Sequence, residues 1–180
     1  MKDFKKITED NFEEFVEDSY KNWLSDRVST FLIGNSADHE SRLEESLIGC
    51  ESPIEQLLAL EFENIKLEYI HRFNPFVDVV GIDKQEIVEA KGNKYRVDFL
   101  IPVVYKNRDN LMYVVECDGY DFHQKTKKQV EDDNKRQRDL QEAGYEVIRF
   151  SGTEIYHKPN QCALTVKNII LSKCKYIKDE

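Results

Sequence analysis

Several residue types that would point to a simple function class are scarce in this chain or badly placed for it. The four cysteines stand at positions 50, 117, 162 and 174, far apart and with no Cys-x-x-Cys pair. That argues against a zinc ribbon and a secreted disulfide framework, and a reducing compartment, hence a cytoplasmic location, is expected. Seven glycines and four prolines are too few for a collagen-like or linker-dominated chain. No apolar run approaches the ~18 residues of a membrane span, and MKDFKKITEDNFEEF lacks a signal peptide's apolar centre, so no membrane role is expected. Positive charge is not in surplus either. Against 35 acidic residues there are 26 basic ones, a net −9, which argues against a nonspecific coat on nucleic acid.

What is present suits one globular domain. Hydrophobic residues make up 40% of 180 positions, enough to bury a core. The charge is uneven: residues 1–50 and 51–124 each carry −6, whereas 125–180 carry +3, leaving room there for an anion-binding surface. Ile7, Phe12, Phe15, Val16, Tyr20, Trp23 and Leu24 recur at helical spacing among acids, and GNSADHES (34–41) reads as a linker. Residues 1–45 are therefore expected to form an acidic helical extension and 46–180 the main domain. Charge alone suggests that the extension could dock a protein partner.

A cleaner helix begins at Ser52, with Pro53 in the first turn and Glu55 at capping-box spacing. VDVVG, QEIVEA, KYRVDFLIPVVY (94–105) and LMYVVECDG read as strands, the last two forming a hairpin around NRDN (107–110). Residues 125–143 read as a charged helix stopped by Gly144, YEVIRF (145–150) as a strand after a crossover, and Gln161–Ile177 as a closing helix. This order implies a mixed sheet between helices.

Three acids sit where solvation alone would not put them. Asp98 interrupts the apolar strand RVDFLI, while Glu116 and Asp118 end the run MYVVECD on one strand face. A turn centred in 107–110 sets Asp98 opposite about residue 118. Crowded carboxylates repel unless a proton or cation intervenes, and hard oxygen ligands suit Mg²⁺ or Mn²⁺. The Cys117 carbonyl is a plausible further ligand.

Together, YRVDFLI, YVVECDGYDFH and DDNKRQRDLQEAGYEVIRFSG resemble the PD-(D/E)XK nuclease superfamily, in the branch similar to very-short-patch-repair endonucleases. The resemblance covers about residues 51–175. It implies an α/β fold with an α-β-β-β-α-β restriction-endonuclease-like core, a mixed central sheet flanked by helices, and a Mg²⁺- or Mn²⁺-dependent endonuclease acting on DNA. It implies Asp98 and Glu116 as metal ligands, with Glu55 completing the acidic shell. The usual lysine of E-x-K is absent: Asp118 stands there. Asp118 is read as part of the site and His123 as the replacement proton-transfer group, with Gln124 and Lys125 as alternatives for a phosphate contact. Lys125, Lys128, Arg136, Arg138 and Arg149 are the candidate nucleic-acid contacts.

Plainer readings stand beside these. Capping alone accounts for Glu55, a solvated helix face accounts for the lysines and arginines of 125–138, and Arg136 is spaced as an i,i+4 partner of Asp132. The missing lysine and the −9 charge also suit a nuclease-fold module that no longer cuts and serves nucleic-acid binding or protein assembly.

Overall fold

Ser52 opens the first core helix of the computed structural model, which describes residues 6–11, 44–106, 108–119 and 126–176. Its hydroxyl accepts the Glu55 N–H at the N-terminus of α1 (Pro53–Asn64), with Pro53 in the first turn. Residues 54–62 are all buried, so α1 is packed on every side rather than along one stripe. The sheet lies against it, with Phe62 meeting Phe99 edge to face at 5.4 Å.

The strands are β1 (Val77–Val80), β2 (Asp83–Ala90), β3 (Asn93–Tyr105), β4 (Leu111–Asp118) and β5 (Tyr145–Ser151). Their order is β1-β3-β4-β5, with β2 also on β3. The 13-residue β3 therefore pairs with β2 through its first part and with β1 through its last. Lys91 (φ 53°) and Gly92 (φ 75°) join β2 to β3, both at the positive φ that a tight two-residue hairpin turn demands. Between β4 and β5 runs α2 (Lys127–Glu142), so β5 returns parallel to β4. The reciprocal Thr126/Gln129 box starts α2, and Gly144 (φ 93°) follows its end. This is the α/β architecture expected: a mixed, curled sheet flanked by helices.

Apolar side chains fill both faces. Phe99, Ile101, Val103, Tyr113, Val115 and Phe150 pack towards α1 and α4 (Pro159–Ser172), whose Ala163, Val166 and Ile170 are fully buried. Val114 and Leu140 anchor a smaller cluster under α2. Leu140 is the only buried residue of α2, so polar contacts also set how this helix sits on the sheet. α3 (Gly152–His157) was not expected; Ser151 and Glu154 cap it reciprocally.

Two expectations need comment. The last rung of the β3–β4 register is Phe99–Val115, so Asp98, one step beyond it, comes level with Glu116 rather than with about 118. The register centres the hairpin one position earlier than the NRDN string suggests. The expected helices and linker between 12 and 43 lie outside the described residues. From the N-terminal extension, Ile7 is buried, and its N–H and C=O bond to the Gln56 side chain at 2.9 and 2.7 Å.

Candidate active site

The β3–β4 ladder stops at Phe99–Val115, while β4 stays paired to β5 as far as Asp118–Ser151. Where β3 leaves β4, the Cys117 N–H loses its ladder acceptor, and Asp98 Oδ2 takes it at 2.7 Å. The registers continue the row across the sheet. Gln85 lies between the rungs Lys84–Phe99 and Glu86–Val97, level with Asp98; Asp98 lies one step past the last β3–β4 rung, level with Glu116; and Glu116 pairs with Arg149 of β5.

Each acid in or next to this row has a defined partner. Glu116 is 7% exposed and accepts Arg136 Nη2 at 2.8 Å; the same nitrogen donates to the Arg96 carbonyl. Arg136 therefore crosses from α2 onto the sheet, and its neighbour on the site is Glu116. Asp118 is gripped by Arg149 through two bonds, Nε–Oδ2 at 3.1 Å and Nη2–Oδ1 at 2.6 Å. Glu55 is 5% exposed and accepts from the Glu51 N–H at 2.8 Å, Ser52 Oγ at 2.5 Å and Gln85 Nε2 at 2.7 Å. Its cap role is real, and so is its link to β2.

Burial is the main force on two of these carboxyls. It pushes Asp98 up to about 6, with the Glu55 and Asp118 charges adding to the rise and the Cys117 N–H and Arg136 opposing it. Burial likewise pushes Glu116 up to about 7, against the pull of Arg136 and Arg149 and with the help of Asp98 and Asp118. Carboxyls raised in this way hold their protons more tightly than exposed ones and gain by ionising around a cation. The donor chemistry, hard carboxylate oxygens, fits a divalent ion. Among the described residues, no three His, Cys, Asp or Glu side chains stand close enough to enclose one. Arg136 and Arg149 hold the oxygens that would do so.

The remaining predicted contacts divide. Arg136 and Arg149 join the acids, whereas Lys128 and Arg138 are exposed on α2, with Arg138 on the side of the helix away from Arg136. His123, Gln124 and Lys125 lie outside the described residues. Sequence reasoning missed Gln85. A signal was available: counting back from the Lys91–Gly92 turn places it opposite Asp98.

Two cavities, of about 220 and 230 Å³, are lined by other residues, among them Glu63, Tyr69 and Lys84 in one and Ile65, Phe73 and Lys167 in the other. Among the described residues, no helix is long and apolar enough to cross a membrane.

The chain matches the restriction endonuclease-like family REase_MTES_1575 over residues 80–170. That is 91 of 180 residues, just over half, and it spans Gln85, Asp98, Glu116, Asp118, Arg136 and Arg149 but not Glu55. No curated protein and no solved structure matches the chain.

Proposed function

The chain belongs to the restriction endonuclease-like family REase_MTES_1575, and so to a nuclease superfamily with nucleic acid as substrate, and from that premise we propose that it is a divalent-metal-dependent endonuclease hydrolysing DNA phosphodiester bonds. The observation that carries the reading is the pair Asp98 and Glu116, a half-buried and a buried carboxyl whose charges act on each other just past the point where β3 leaves β4. The finer likeness to very-short-patch-repair endonucleases rests on the E-x-DG-x-x-x-H string at 116–123.

Asp98, Glu116 and the Cys117 carbonyl would hold Mg²⁺ or Mn²⁺, which when bound polarises the scissile phosphate and acidifies a water. The protein's own residues do the rest. Asp98 is held in place by the Cys117 N–H, which occupies one of its two oxygens. Asp118 cannot supply the cation that a lysine at its position would, but it fixes Arg149 there instead. A phosphate approaching the row meets the guanidiniums of Arg136 and Arg149, each already close to a carboxylate it can exchange for the anion. Lys128 and Arg138 on α2, together with Lys125, which precedes the helix in the sequence, add phosphate neutralisation, which makes binding fall with salt. His123 orients or deprotonates the water. Calorimetric titration with Mn²⁺ tests the site: Asp98→Ala should abolish binding, and unchanged affinity in the folded variant would remove it.

One observation favours a second reading. Arg136 and Arg149 already neutralise Glu116 and Asp118, as in a module that binds nucleic acid or a protein without cutting. Binding of DNA with no cleavage in either metal would select it.

A further inference from the structure

Gln85 is the one residue of β2 in the left-handed region, with φ 54°. An inserted residue would normally cause such a distortion and would shift the pairing. Here the pairing is unshifted: Lys84–Phe99 lies on one side and Glu86–Val97 on the other. Nothing has been inserted. An L-residue in this region crowds its Cβ against a carbonyl oxygen, so the conformation persists only where its surroundings impose it. What it achieves is to re-aim one side chain, that of the residue opposite Asp98.

The Gln85 amide has only one sensible orientation. Nε2 donates to Glu55 Oε2 at 2.7 Å, and the reverse orientation would set oxygen against oxygen. Oε1 is then buried, and among the described residues no donor reaches it. A buried carbonyl oxygen without a donor is unfavourable, and a ligand that brings one relieves it.

We propose that Gln85 is a positioning residue of the nuclease centre: Nε2 holds the Glu55 carboxylate, and Oε1 accepts a hydrogen bond from the hydration shell of a divalent cation bound at Asp98 and Glu116. The inference rests on the metal-dependent reading given above. It explains together the unshifted distortion, the tie to Glu55 and the orphaned oxygen. It also makes Gln85 the β2 member of the row that continues through Asp98 and Glu116.

Titration calorimetry with MnCl₂ alone tests it on the full chain, comparing wild type, Gln85→Gly, Gln85→Met and Asp98→Ala. Glycine relieves the positive φ and removes the amide; methionine keeps the length and the backbone demand but lacks the amide. Both should weaken Mn²⁺ binding roughly tenfold or more, as loss of a residue that orients a metal's ligands does. The metal-free melting temperature of Gln85→Gly should stay close to wild type. Wild-type affinity in either Gln85 variant, while Asp98→Ala abolishes binding, would overturn the assignment of Gln85 and leave the nuclease reading standing. No Mn²⁺ binding by the wild type would remove the metal centre and this proposal together.

Discussion

Arg136 Nη2 lies 2.8 Å from the Glu116 carboxylate and also donates to the Arg96 carbonyl, so one side chain of α2 ties together β3 and β4 at the site. A cation for Glu116 must compete with that guanidinium. Arg136→Ala is expected to tighten Mn²⁺ binding about tenfold at pH 8, where Glu116 is ionised, and to weaken DNA binding. Calorimetry and a DNA-binding titration on the same variant check both. Unchanged or weaker Mn²⁺ binding would show that the two cations do not share Glu116.

The raised carboxyls of Asp98 and Glu116 give the metal-free protein a definite pH dependence. Their folded values, about 6 and about 7, lie above the ordinary carboxylate range. The folded state therefore binds protons more tightly than the unfolded chain. The resulting stability is full below about pH 4 and is lost as pH rises through 6 to 7. Asp98→Asn keeps an acceptor for the Cys117 N–H and removes the charge. It should raise metal-free stability at pH 8 by on the order of 2 kcal/mol and flatten the slope between pH 4 and 7. Urea melts across that range measure it, and a variant less stable than wild type at pH 8 would contradict the burial argument.

Gln56 is fully buried and bonds the Ile7 N–H and C=O as well as the Leu47 carbonyl at 3.0 Å. The proposed division at residue 45 thus has a clasp across it. Deleting residues 1–45 should leave 46–180 folded but destabilised by about 2–3 kcal/mol, because the Gln56 amide loses partners. The corresponding drop in melting temperature is roughly 10 °C. Unfolding of 46–180 on its own would move the boundary.

His123 follows the point where the lysine of E-x-K is replaced by Asp118. His123→Ala should lower the cleavage rate by ~10²–10⁴-fold with Mn²⁺ affinity unchanged, and wild type should show a histidine-range inflection in its pH–rate curve. A wild-type rate in the variant would pass the role to Lys125 or Arg149.

Local chemistry was readable from the residues. Ser52-Pro53 predicts where α1 begins, and the structure starts the helix there. The pairing of the two central strands was readable; its register was off by two, because NRDN does not reveal which residue sits at the turn's centre. Ser151–Glu154 carried a cap signal for α3, but a six-residue helix has too little apolar periodicity to stand out after a strand. The site was legible as a set of acids and not as a set of pairs. Spacing along α2 suggests Asp132 for Arg136, whereas packing on the sheet brings Glu116 to it. Nor does any spacing announce that Gln85 turns to positive φ; that follows only when the hairpin is assembled around Lys91–Gly92.

Cleavage of supercoiled and single-stranded DNA by the full chain, in Mg²⁺ or Mn²⁺ with an EDTA control and with Asp98→Asn beside wild type, tests the central claim most directly. The account predicts metal-dependent nicking by wild type and none by Asp98→Asn. Equal cutting by both proteins, or cutting that survives EDTA, would contradict it.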